Sequence, residues 1–265
     1  MELAAKIWKD VKKIREEKPL IQNITNFVVM NNTANALLAL GASPVMAHAI
    51  EELDDMVKIA RALVINIGTL DNHWTSSIYE ALNAAEKYQT PVVLDPVGAG
   101  ATKLRTKTVQ HIIDRKVPDI ICGNGSEIIS MAGIDFQTKG VDSIDTSDDA
   151  LEAGQKLAEK FNTTVIISGK IDHVVNKTEK RKVLNGVEMM GSITGLGCTA
   201  SALAGAFLGV SDSVFEAALG SIATLGIAGE LAARQSEGPG SLQMHILDAL
   251  YNLDEDAIKN NIKVD

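Results

Sequence analysis

Thr194-Gly195-Leu196-Gly197-Cys198-Thr199 sets two glycines one residue apart at the entry to a run of small residues, Ala200-Ser201-Ala202-Leu203-Ala204-Gly205. Backbone N–H groups exposed at such a helix entry lie at the positive end of the helix dipole and suit a phosphate or a developing oxyanion. No Gly-Lys-Ser/Thr follows, so this is not a Walker A loop. The plainer alternative is that the glycines only let helices pack closely. Cys198 also has two readings: a small buried hydrophobe, or a thiol whose pKa is lowered by the helix N-terminus. Asp95 interrupts an otherwise apolar run, and a buried carboxylate needs donors, a partner or a metal. Glu127, after Asn124-Gly125-Ser126, either favours a helix N-terminus electrostatically or serves Mg2+, which takes one or two carboxylates plus phosphate oxygens. His48, His73, His111, His173 and His245 carry no metal-ligand spacing.

Four apolar runs would position these residues: 63–68 (LVINIG), 91–97 (PVVLDPV), 119–123 (DIICG) and 163–169 (TTVIISG). Continuous Val/Ile-rich runs suit strands buried on both faces. Segments 74–88 and 147–161 between them have helical apolar spacing. The alternation predicts an α/β fold, a mainly parallel central sheet with helices on both faces. Two short strands, 172–176 and 181–187, then precede helices over 198–210, 211–234 and 241–253, with Gly238-Pro239-Gly240 separating the last two. No linker or repeat divides residues 1–265, which are read as a single domain. Ligands of such sheets bind beyond the C-terminal strand ends. Gly68, Asp95, Asn124 and Ser168 fall there.

Lys+Arg total 25 against 34 Asp+Glu, a net charge of −9, which argues against a nucleic-acid surface. Aromatics, at 4%, are too few for base-stacking platforms. The two cysteines, Cys122 and Cys198, exclude a disulfide scaffold and suit a reducing compartment. No signal peptide or membrane span is read, so the expectation is a cytoplasmic protein with a small-molecule partner.

Several blocks, in order, resemble the hydroxyethylthiazole kinase family: Gln22-Asn23-Ile24-Thr25-Asn26, Met30-Asn31-Asn32-Thr33-Ala34-Asn35, Leu40-Gly41-Ala42-Ser43-Pro44-Val45-Met46, Asn66-Ile67-Gly68-Thr69-Leu70, Asp95-Pro96-Val97-Gly98-Ala99-Gly100-Ala101-Thr102, Gly123-Asn124-Gly125-Ser126-Glu127, the 195–198 loop and Gly238-Pro239-Gly240-Ser241. The resemblance implies a ribokinase-like fold and transfer of the ATP γ-phosphoryl group to the primary alcohol of 4-methyl-5-(2-hydroxyethyl)thiazole in thiamine salvage. It also implies Mg2+ and a homotrimer with active sites between subunits. By that likeness Asn26, Met46, Gly68 and Gly195 bind the thiazole, and Gly195, Gly197 and Cys198 face the reacting hydroxyl, with Cys198 placed to help remove its proton. Ser168 and Asn124 serve ATP; Asp95 and Glu127 organise the metal. One departure stands out: Cys122 occupies a position where the family commonly has an Arg that reaches ATP, and a thiol cannot supply a guanidinium's planar, charge-assisted bonds. Lys170 and Lys103 are the cations expected to compensate, or nucleotide contact is weaker. Alternatives are a kinase for another small alcohol, an ATP-dependent NAD(P)H-hydrate dehydratase, and a catalytically silent ligand-binding protein.

Overall fold

Eight strands form one sheet in the order β2-β1-β3-β4-β5-β6-β7-β8 in the computed structural model, which describes residues 2–136 and 147–265. They are β1 (Leu20–Ile24), β2 (Ser43–Val45), β3 (Ala62–Asn66), β4 (Val92–Asp95), β5 (Ile120–Asn124), β6 (Thr164–Ser168), β7 (Asp172–Val175) and β8 (Lys180–Val183). The first six run parallel; β7 and β8 add antiparallel to β6, and Val264 bridges to Val183 at that edge. Side chains alternate across the sheet, so Val64, Val93, Cys122 and Ile166 face one apolar layer while Leu63, Leu94, Ile121 and Val165 face the other.

The first layer is built on α1 (Glu2–Glu17), α2 (Met30–Leu40), α8 (Leu196–Leu208), α9 (Val214–Ala233), α10 (Pro239–Asn252) and α11 (Glu255–Asn261). The second holds α3 (Ile50–Ile59), α4 (Asn72–Tyr88), α5 (Lys103–Arg115), α6 (Gly125–Phe136) and α7 (Ser147–Phe161). Both faces of the sheet are covered, as the uninterrupted apolar strands require.

The expected architecture is present, with changes at the edges. Strands β1 and β2 are additions to the expected set. In β1, Gln22 and Asn23 break the apolar pattern although both are fully buried. Strand β4 stops at Asp95 because Pro96 has no N–H to continue a ladder. The 238–240 segment opens a helix as well as separating two: Pro239 is the first residue of α10, where a missing N–H costs nothing. Helix α9 is long and apolar enough to cross a membrane, yet 78% of its apolar window is buried inside the protein. Its small residues permit this: Gly220 lies so close to Phe207 of α8 that a Cβ would stand 3.0 Å from that ring.

Candidate active site

Asn66 and Asp95 are register partners at the ends of β3 and β4, on the face covered by α8. The Asn66 amide donates to Asp95 Oδ2 at 2.6 Å, and Ser201 Oγ of α8 donates to the same oxygen at 2.8 Å. Asn26, between β1 and α2, donates to Asn66 Oδ1 at 2.8 Å and lies 3.4 Å from the Cys198 sulfur. The Gly68 N–H donates to Asn66 Oδ1 at 2.9 Å. A Cβ on Gly68 would sit 2.6 Å from the Asn26 amide nitrogen, so this approach needs a glycine. Residues expected in the site from four separate segments, Asn26, Gly68, Asp95 and Cys198, thus meet in one hydrogen-bonded network. Asn66 and Ser201 join them without having been foreseen. Asn66, a polar residue closing an apolar strand as Asp95 does, carried a visible signal; Ser201, one small residue among many, carried none.

Burial raises Asp95 to a pKa of about 7, the nearby Glu127 carboxylate adds to the rise, and the bonds from Ser201 and Asn66 oppose it. The Cys198 thiol is pushed up to about 12, first by burial and then by Asp95. Of the two readings of Cys198, this direction favours the small buried residue: burial, with Asp95 beside the sulfur, outweighs the helix start. Cys198 remains protonated at neutral pH. Cys198→Ala is therefore expected to keep turnover within about tenfold of wild type, below the usual contribution of a general base, in steady-state assays. A larger loss would restore the thiol as a proton acceptor. Cys122 is buried in β5 on the α8 side, and burial followed by Asp95 raises its thiol as well.

Glu127 closes a capping box at the start of α6. Asn124 Oδ1 accepts from Glu127 N at 3.0 Å, and Glu127 Oε2 accepts from Asn124 N at 2.8 Å. The other oxygen, Oε1, accepts from Gly98 N at 2.8 Å, tying the loop after β4 to β5. Asn124 and Ser168 are register partners at the ends of β5 and β6. Lys103 and Lys170 are exposed on the same rim.

The two carboxylates bear on the metal expectation. Asp95 and Glu127 are close enough to repel, and neither forms an ion pair with Lys or Arg among the described residues. No group of three or more metal-ligating side chains exists among the described residues. That donor set fits a Mg2+ ion sharing phosphate oxygens and water better than an all-protein cage.

Gly195 precedes α8 with φ +84°, in the left-handed region. Thr199 N and Oγ1 both bond to the Gly195 carbonyl, at 2.9 and 3.0 Å, which starts the helix and leaves its first N–H groups directed outward. Met46 follows β2, and His48 Nδ1 lies 3.4 Å from its carbonyl. An aromatic row runs beside it, with Trp74 4.4 Å from His48 and 4.6 Å from Phe27 between ring centroids.

A family model described as the hydroxyethylthiazole kinase family matches residues 11–256. A hydroxyethylthiazole kinase of Aliivibrio salmonicida (strain LFI1238) is 52% identical over 251 residues, covering 95% of this chain and 94% of its own. One from Syntrophus aciditrophicus (strain SB) is 50% identical over 258 residues, covering 97% and 96%. The solved structure of a hydroxyethylthiazole kinase protein from Pyrococcus horikoshii OT3 superposes with a TM-score of 0.91 at 44% identity, covering 98% of each chain. A pyridoxal kinase from Staphylococcus aureus in complex with AMP-PCP, at 16% identity and TM-score 0.62 over 79% of this chain and 87% of its own, shares the fold alone.

Proposed function

Because the chain belongs to the hydroxyethylthiazole kinase family, we propose that its strand-end site transfers the γ-phosphoryl group of ATP to the primary hydroxyl of 4-methyl-5-(2-hydroxyethyl)thiazole, in thiamine salvage. The protein is an enzyme, a kinase of ribokinase-like fold. The carrying observation is the convergence of Asn26, Asn66, Asp95 and Cys198 in one network at the strand ends, beside the α8 N-terminus.

The alcohol oxygen forms a bond to phosphorus, the bond from that phosphorus to the β-phosphate oxygen breaks, and the alcohol proton is released. Such transfers depend on positioning and charge stabilisation more than on covalent help. Asn26, Met46, Gly68 and Gly195 hold the thiazole alcohol, with the Phe27–Trp74–His48 row as an apolar wall. The outward N–H groups at the start of α8, Gly197 and Cys198 among them, stabilise charge on the moving phosphoryl group. Cys198 lines the site and keeps its proton. Asp95 sits at the centre of the network, accepting from Asn66 and Ser201. Asn124 and Ser168, side by side, serve the nucleotide. Asp95 and Glu127 would hold Mg2+, which would supply positive charge to offset that of the phosphates.

Phe27 and Val28, 60% and 65% exposed beside Asn26, are apolar side chains that a neighbouring subunit would cover, in keeping with a homotrimer whose sites lie between subunits. ATP use and two unbridged cysteines fit the cytoplasm. The test is phosphorylation of a panel of small alcohols with ATP and Mg2+. The thiazole alcohol should give the highest kcat/KM; faster turnover of a pyrimidine or pyridine alcohol, or ATP binding without turnover of any, would overturn the reading.

A further inference from the structure

The guanidinium of Arg105, on α5, reaches back over the strand ends and takes no part in any ion pair among the described residues. Its Nη1 donates to the carbonyl of Ile67 at 2.8 Å and to that of Val97, and Nη2 donates to the carbonyl of Gly68 at 2.6 Å. The loop after β4 lies flat against the same group: a Cβ on Gly98 would be 3.2 Å from Arg105 Nη1, and Gly98 holds φ +69°. One planar cation therefore joins two loops that come from different strands.

The two loops carry different halves of the site. Gly68 presses against Asn26, whose amide faces Cys198. Val97 and Gly98 lead to Glu127, because Gly98 N–H donates to Glu127 Oε1. We propose that Arg105 is a positioning residue for phosphoryl transfer, setting the distance between the alcohol-binding loop and the carboxylate corner. It also draws three carbonyl dipoles toward itself, which keeps their negative ends off the phosphates. An Arg suits this because its donors sit in a rigid fork, so one group can bind three carbonyls in fixed relative positions. A Lys ammonium at the same place keeps the charge and loses the fork.

This inference rests on the roles proposed above for Asn26, Gly68 and Glu127, and the experiment has one arm that does not. Arg105→Lys and Arg105→Ala are compared with wild type by amide hydrogen exchange without ligands, by kinetics and by addition of ethylguanidine. Exchange should accelerate at 67–69 and 97–99 together in both variants while β3 and β4 stay protected. With thiazole alcohol, ATP and Mg2+, kcat/KM should fall by about 10²-fold, the scale of an ångström-level misplacement. The alcohol KM and the Mg2+ requirement should rise together, and ethylguanidine should recover part of the Arg105→Ala loss. Wild-type kinetics in Arg105→Lys, a loss that only follows the folded fraction and resists ethylguanidine, or acceleration confined to one loop would each overturn the proposal. If the wild type proves to act on another alcohol, the exchange pattern still decides whether Arg105 couples the two loops.

Discussion

An Asp95→Asn enzyme is expected to lose about 10³-fold in kcat while melting, metal-free at pH 8, above the wild type. The amide keeps an oxygen to accept from Asn66 and Ser201, so the hydrogen-bonded frame survives. What disappears is the negative charge, and with it one of the two carboxylates that the proposed reaction makes available to a cation. The stability gain follows from the direction of the pKa shift. Folded Asp95 keeps its proton up to a pKa of about 7, against the ordinary aspartate value of 3.8. Between those values the native state binds more protons than the unfolded state, so stability falls as pH rises through that window. Above it the wild type carries the whole penalty, a few kcal/mol at most, and the amide carries none. The difference in melting temperature should be largest at pH 8 and shrink toward pH 4, followed by circular dichroism. A variant with more than about a tenth of wild-type kcat, or with no pH-dependent gain in stability, would contradict this account.

Gly195→Ala should damage both fold and catalysis, and Gly197→Ala should damage catalysis alone. At Gly195 a Cβ would lie 2.4 Å from Val29 Cγ1, and the residue sits at φ +84°. Val29 is 3% exposed and β-branched, so it has nowhere to turn. Strain and overpacking together cost about 2–4 kcal/mol, and the displaced loop should lower kcat/KM by about 10²-fold or more. At Gly197 a Cβ meets nothing within 4 Å. Alanine there suits the helix better by about 0.5–1 kcal/mol, so the variant should melt at or above wild type. It should still turn over more slowly, because the proposed reaction brings alcohol and phosphoryl group together in the open space in front of Gly197. Thermal melts and steady-state kinetics on the pair separate the two outcomes. A Gly195→Ala enzyme as stable as wild type, or a fully active Gly197→Ala enzyme, would refute the assignment.

What could be read from the sequence was what short-range pattern encodes. Val/Ile-rich runs located β3 to β6, and the strand-end rule pointed from them to Gly68, Asp95, Asn124 and Ser168. Strand β1 escaped because Gln22 and Asn23, polar in type, are buried in practice; the Gln22 amide finds the carbonyl of Ala47, a partner 25 positions away. The same limit hid Ser201, whose bond to Asp95 spans 106 positions. Glu127 was read either as a charge at a helix N-terminus or as a metal ligand, and the first reading had a sharper signal behind it. Asn-x-x-Glu is a capping-box spacing, and both of its reciprocal bonds are present. Cys198 shows the opposite case: its helix-start position was read correctly, but the sign of its pKa shift depended on burial and then on Asp95, both set only by the fold.

Helix α9 has a consequence for how the protein is made. It spans Val214–Ala233, and α10 and α11, which pack against it, follow it in the chain. Until those later residues leave the ribosome, the growing polypeptide leaves one side of a twenty-residue apolar helix uncovered, close to the length a bilayer accepts. A substitution that loosens α10 from α9 would prolong that exposure in new and thermally opened molecules alike. Its first symptom would be insoluble protein, with the soluble remainder keeping its specific activity.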